Sequence, residues 1–330
     1  MGDVAMVVPV IKALIEQNAF IKVTVATRPF FAPFFENLNN VTVYTIDLKT
    51  KYKGVFGLMK LFKDLLHLKI DAVADLHNVL RTKFIIKLFR ILGYKCYQID
   101  KGRREKKKLT SARKDKKLVL LKSTHERYAD VFRKLGYQID LSTNHTVLKK
   151  NKPPFIIKRV KNQKLIGIAP LAAFKGKSLP QAKLKELIEA LNALEDVSIL
   201  LFGGGNEQRK IFESVAASYE NVISVVGKIS FKEELDIISN LNIMISMDSG
   251  NGHIAAMYNV PVVTVWGVTH PFLGFVPFGQ PMENQILPDL KKFPLIPTSV
   301  YGNNTPNGYL NCFDTIKISE IVSITKKYVK

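Results

Sequence analysis

Hydrophobic positions along this chain switch repeatedly between a helical period and short apolar runs. Val4 to Glu16 and Val55 to Leu68 carry apolar residues at helical spacing, whereas Ile21 to Ala26 and Val41 to Ile46 read as strands. A short buried strand at Ala72-Val73-Ala74 precedes another helix from about Val79 to Leu92. The second half repeats the rhythm, with strands at Leu165 to Ala169, Val197 to Phe202, Val222 to Val226, Ile243 to Ser246 and Val260 to Val265. Helices are expected between them at Gln181 to Leu194, Glu207 to Ala217, Phe231 to Ser239 and His253 to Tyr258, and an amphipathic helix closes the chain at Ile318 to Val329. Apolar strands separated by helices predict parallel sheets covered on both faces.

Two doubly wound α/β domains facing a cleft are the simplest architecture for such a pattern. The polar, proline-bearing stretch Asn144 to Lys161 is the natural boundary. It gives an N-terminal domain at 1–150, a second domain at 151–312, and a C-terminal helix at 313–330 free to pack back on the first. Two stretches lack periodicity, Lys101 to Lys117 (dense in lysine and arginine) and Pro281 to Asn311 (rich in Pro, Asn and Gly), and both read as surface loops.

Length agrees with two cores: 330 residues exceed what one core usually organises. With 49 basic and 28 acidic side chains the net charge is +21, which points to an anionic partner without saying which kind. Two cysteines without CxxC spacing fit a reducing, cytoplasmic compartment. No run approaches the roughly 18–20 apolar residues of a membrane span, and Asp3 with Lys12 and Glu16 spoils a signal peptide, so membrane contact is expected to be peripheral.

The strongest local signal is the strand Ile243 to Ser246 running into Asp248-Ser249-Gly250-Asn251-Gly252-His253. Helix N-terminal amides at a strand's carboxyl end suit a phosphate, and Gly250 and Gly252 would let it approach the backbone. The same residues also make an ordinary helix cap and turn. A second turn, Gly203-Gly204-Gly205-Asn206-Glu207, is not a dinucleotide fingerprint; Glu207 fits a ribose hydroxyl or plain dipole matching. Lys177, in the loop between a strand and a helix, could meet a diphosphate leaving group or be solvated. Asp3 caps a helix or serves as a general base, and Arg81 grips an acidic acceptor or faces solvent. No HExxH, zinc-spaced cysteine pair or Asp-x-Asp at a strand end points to a metal.

In order and spacing, Gly2-Asp3-Val4-Ala5, Lys177-Ser178-Leu179-Pro180, Gly203 to Glu207 and Asp248 to His253 resemble the lipopolysaccharide heptosyltransferases, glycosyltransferase family 9. The resemblance runs from residue 2 to about 275 and returns weakly at Asn311 to Ile316. It implies a GT-B fold, an ADP-heptose donor on the C-terminal domain, and an anionic glycolipid acceptor of the lipid A-Kdo type on the N-terminal domain. It also implies metal-independent inversion without a cofactor, by a monomer at the cytoplasmic face of the inner membrane. Carried over by position, Asp3 matches the general base, Lys177 the diphosphate-contacting lysine, Glu207 the ribose-binding acid and Arg81 a basic acceptor position. Asp248, Ser249, Gly250, Gly252 and His253 fall on the donor turn.

Two departures stand out. Ala172 and Ala173 replace hydroxyl residues that commonly hold phosphate oxygens, which throws donor contacts onto backbone amides. The apolar strand that leads into the Gly-Asp turn is also absent ahead of Gly2. We expect Met1 to be an internal methionine, with upstream codons encoding that strand; without it, flanking strands would be exposed and Asp3 loosened. Rival readings are a GT-B transferase with another nucleotide sugar, a fold-mate such as a sugar epimerase, and a non-catalytic nucleic-acid-binding protein. The last wants aromatics among its cations, and Lys101 to Lys117 has none.

Overall fold

In the first half, α1 (Gly2–Gln17) is apolar on most sides, and Met6, Val8, Val10, Ile11 and Leu14 are all buried. After it come β1 (Val23–Thr27), β2 (Val41–Thr45), α2 (Gly54–Leu66), β3 (Ala72–Asp75), α3 (Leu80–Ile91) and β4 (Lys95–Gln98). The computed structural model describes residues 1–142 and 164–330, so the expected boundary at Asn144 to Lys161 lies outside the described residues. β1 pairs in parallel with β2, and β3 with β4, but no ladder joins the two pairs among the described residues. Their residues are correspondingly half-covered: Thr24 and Ala26 are exposed and Val23 and Val25 only partly buried. The packing here is carried by α2 and α3, where Phe62 meets Phe89 edge-on at 4.9 Å beside Ile85 and Ile86.

The segment after β4 folds as α4 (Arg103–Leu109), and α5 (Thr124–Leu135) follows it. Contacts divide the chain into two compact units. Among the described residues the first holds Met1, Met6–Lys101 and 124–142; the second holds Gly2–Ala5, Gly102–Ser123 and 164–330. A single cut near 150 is therefore too simple, because two early segments pack with the late ones. Lys101 to Lys117 is not a plain surface loop either: Lys106 is buried with its ammonium 3.9 Å from the Phe275 ring centroid. Lys116 Nζ donates to the carbonyls of Ser111 (3.2 Å), Leu295 (2.7 Å) and Pro297 (2.7 Å).

The second unit contains β5 (Lys164–Ala169), α6 (Gln181–Asn192), β6 (Val197–Leu201), α7 (Asn206–Ala216), β7 (Val222–Ser224) and α8 (Phe231–Ser239). It continues with β8 (Ile243–Met247), α9 (Gly250–Met257), β9 (Val262–Val265), β10 (Gln285–Ile286) and α10 (Ile318–Val329). Its six strands are all parallel in the order β10-β9-β8-β5-β6-β7. Every residue of β6, β8 and β9 is buried, which is why these strands read as continuous apolar runs rather than alternating ones.

Helix α10 packs within the second unit. Its Ile318, Ile321 and Ile324 share one core with Leu184, Leu187 and Leu191 of α6, because its apolar stripe matches that of α6. Pro281 to Asn311 is likewise packed rather than a surface loop: Asn284, Gln285, Ile286 and Ile296 are buried, and Gln285 accepts from the Trp266 indole at 3.0 Å.

Deleting a side chain should cost very different amounts in the two units. Ile245→Ala in β8 should lower stability by about 2–5 kcal/mol, read from the fluorescence of Trp266, the one tryptophan. Val25→Ala in half-covered β1 should cost under about 1 kcal/mol by circular dichroism, since little buried contact is lost.

Candidate functional site

Strand order in the second unit runs from β5 through β6 to β7 on one side and from β8 through β9 to β10 on the other. The reversal lies between β5 and β8, which are hydrogen-bonded neighbours. Connections leaving their carboxyl ends diverge to opposite faces, and ligands of open parallel sheets bind in the crevice so formed. The Lys177 loop follows β5 and the Asp248 turn follows β8, so the two motifs flank that point.

They meet there. Lys177 Nζ lies 3.0 Å from Asp248 Oδ2, with both side chains largely buried. The same carboxylate oxygen accepts from Thr269 Oγ1 at 2.9 Å, so Asp248 fixes the ammonium rather than leaving it to solvent. Gly302 keeps the lysine stem straight: it has φ +75°, and a Cβ there would lie 2.4 Å from Lys177 Cγ.

Helix α9 starts at the same place. Its N-cap, Ser249, makes no side-chain cap bond, its hydroxyl is buried without a partner among the described residues, and the first turn holds no acid. The opening amides and the positive end of the dipole are thus left for an external anion. His253 is fully enclosed; burial, reinforced by the Lys177 ammonium, pushes its imidazole down to about 3, so the ring is neutral at physiological pH. Gly252 also has a packing role, because its α-carbon faces inward: a Cβ would lie 2.4 Å from Ser246 Oγ.

The first turn of α1 reaches this corner from the other end of the sequence. A Cβ on Gly2 would touch Gly250 Cα at 3.6 Å and His253 Cδ2 at 3.3 Å, so the N-termini of α1 and α9 lie against each other. Asp3 is exposed on that turn. Instead of the loose terminus expected, Gly2–Ala5 is helical and packs with the second unit. Asp3 acts on Tyr301, whose hydroxyl is raised above its usual range by burial and by that carboxylate, while Arg103 of α4 opposes the shift.

Not every expected residue joins this cluster. Glu207 is exposed in the first turn of α7. Arg81 is exposed on α3 in the first unit, and nearby Asp75 is occupied in holding its turn, accepting from the amides of His77 and Asn78 at 2.9 Å and from Gln98 at 2.8 Å. The amide of Ala172, a candidate anion donor, is taken by Ser178 Oγ at 3.0 Å.

Sequence reasoning missed Thr269, His270, Tyr301 and Arg103. The first two follow β9 at its carboxyl end, and the strand-end rule applied to β8 would have flagged them. Burial pushes His270 down to about 4, and its Nδ1 accepts from the Phe272 amide.

The model of glycosyltransferase family 9 (heptosyltransferase) matches residues 58–287, well over half the chain. The chain belongs to glycosyltransferase family 9. Over 112 residues it is 30% identical to lipooligosaccharide heptosyltransferase 2 of Haemophilus influenzae, a match covering 32% of each chain. The match thus spans about a third of that relative. Among solved structures, a family 9 glycosyl transferase from Veillonella parvula superposes with a TM-score of 0.74 at 17% identity, over 99% of this chain and 94% of that one. The E. coli heptosyltransferase WaaC with ADP gives 0.67 at 17% identity, over 99% and 96%. The fold of this family 9 chain is accordingly of the GT-B type.

Two neutral histidines make the site acid-sensitive. Both have folded pKa values below the 6.5 of a free imidazole, so the unfolded chain protonates first. The stability these two neutral rings contribute should be full above pH 6.5 and fall as pH drops through it. Urea midpoints compared between wild type and His253→Gln down to about pH 5 should show this fall as a larger loss in wild type, since the buried Glu234 carboxyl, raised to about 7, is common to both.

Proposed function

We propose that this chain is an inverting glycosyltransferase that moves a heptose-like sugar from an ADP-sugar to a lipopolysaccharide core acceptor of the lipid A-Kdo type, without a metal. The observation that carries the reading is the meeting of three motifs, distant in sequence, at the β5–β8 reversal: the Gly2-Asp3 helix start, Lys177, and the Asp248 to His253 turn. Two helix N-termini and a buried ammonium are a strong anion site. That the similar WaaC structure contains ADP supports a nucleoside diphosphate as the anion.

In this reading the diphosphate lies on the amides of Gly250 and its neighbours, with the Ser249 hydroxyl donating to it. Lys177 takes up the charge that develops on the leaving oxygen. Asp3 accepts the proton of an acceptor hydroxyl, whose oxygen bonds to the anomeric carbon from the face opposite the diphosphate. The bond from that carbon to the diphosphate oxygen breaks, and ADP leaves with the electron pair. Neutral His253 offers hydrogen bonding without repelling Lys177, Glu207 is assigned to the ribose hydroxyls, and Arg81 to an anionic group of the acceptor.

Asp3→Asn should abolish sugar transfer while leaving ADP affinity within about twofold, and Lys177→Ala should weaken ADP binding at least tenfold, an order-of-magnitude expectation for a lost charge-assisted contact. Calorimetry with ADP beside a transfer assay separates the two. Turnover by Asp3→Asn would refute the assignment of the base.

A glycolipid acceptor requires approach to a bilayer. No helix among the described residues is long and apolar enough to cross one, so the contact we propose is peripheral. Arg104, Lys107 and Lys108 on α4 are exposed and fit an anionic leaflet, each contributing about 1 kcal/mol. Sedimentation with phosphatidylglycerol vesicles should fall steeply with salt and weaken when these three become glutamine; salt-insensitive binding would contradict the role.

A further inference from the structure

Glu234 is an acid, largely enclosed, to which the proposed chemistry gives no task. It follows Glu233 in the first turn of α8, and the cap of that helix is complete without it. Glu233 accepts from the amide and the hydroxyl of Ser230, at 2.7 and 2.8 Å, and its own amide donates back to the Ser230 hydroxyl at 3.3 Å. The Glu234 side chain turns instead to α9, where Asn251 Nδ2 donates to its Oε1 at 3.3 Å. Asn251 is buried and is the second residue of α9, between Gly250 and Gly252, so the carboxyl group stands one side chain away from the first-turn amides.

The charges around it are otherwise matched. Asp248 is paired with Lys177, Glu233 is turned into its cap, and His253, on α9 itself, is neutral. No cation pairs with Glu234 among the described residues, and burial pushes its carboxyl up to about 7, with the Asn251 bond opposing the shift only in part. At this helix N-terminus an acid from the neighbouring helix therefore competes with any anion that docks there.

We propose that Glu234 is a positioning residue of the donor site, acting through Asn251, so that α9 accepts a nucleoside diphosphate together with one proton. The inference rests on the donor-site reading given above. An ionised Glu234, one asparagine side chain from the first-turn amides, would repel a diphosphate docked on them. A protonated Glu234 removes that repulsion and leaves the amides to the ligand. Because the bound anion favours the protonated carboxyl, binding draws the proton from solvent. Affinity should then decline as pH rises through the titration of the free protein, by up to about tenfold per pH unit for one proton.

The test is calorimetry of ADP with the full chain, from about pH 5.5 to 8.5, a span that brackets the titration, in buffers of different ionisation heat. Wild type, E234Q and E234L are compared; E234Q keeps the shape and an acceptor for Asn251, and circular dichroism verifies that each is folded. Wild type should take up as much as one proton more than either variant and lose affinity towards high pH, whereas both variants should bind with a flatter profile. The titration of ADP itself is common to all three and cancels in the difference. A purely structural Glu234 would shift the melting temperature without shifting proton uptake. Equal uptake and parallel profiles in wild type and E234Q would overturn the inference while leaving the donor site intact. Folded wild type that binds no ADP at any pH would overturn the donor-site reading and this inference with it.

Discussion

At the carboxyl ends of two neighbouring parallel strands, Lys177 and Asp248 meet at 3.0 Å in a largely buried ion pair, and the rest of the candidate site is arranged around them. A buried pair of this kind adds little net stability, because desolvating both charges offsets most of their attraction. What it supplies is placement. Asp248 is itself held by Thr269 beyond β9, so one carboxylate ties the connections leaving β5, β8 and β9. A cation that would wander on a flexible stem is thereby presented at a fixed point, next to a helix start that has no cap of its own.

The arrangement depends on the strand reversal in a direct way. If β8 had been added beyond β7, the Lys177 loop and the Asp248 turn would stand at opposite edges of the sheet, separated by several strand spacings of about 4.8 Å each. Adjacent placement of β5 and β8 brings them together with no long loop. The buried strands beneath, β6, β8 and β9 throughout and β5 beyond Lys164, make the site rigid, since close-packed strands have nowhere to shift.

The second unit was legible because its elements are regular. Strands such as Val197 to Leu201 are apolar throughout, and α8 carries its Ser230–Glu233 capping box in plain sequence. What was not legible has physical reasons. Helix α4 consists almost wholly of Arg, Lys and Glu, so it carries no apolar period, and it is fixed by Lys106 over Phe275, a contact no local pattern announces. In Thr124–Leu135 the apolar residues are diluted by charges on the outer face. At the site, Asp248 was flagged for its turn, but its partners Lys177 and Thr269 lie 71 and 21 residues away, and only the sheet order joins them. That the α-carbon of Gly252 packs against Ser246 was not legible, because a glycine that admits a ligand and one that admits a neighbouring side chain look alike in a string of letters.

The separated strand pairs of the first unit bear on how the chain behaves in company. Among the described residues each pair ends in rows of backbone N–H and C=O groups that no further strand satisfies, along parallel strands whose counterparts β6, β8 and β9 are enclosed. Such edges are templates: they take up an extended segment wherever one is offered, from the same polypeptide or from another. Among the described residues, the first unit therefore offers such an edge on both strands of each pair, whereas the second unit offers one only on its outermost strands, β10 and β7.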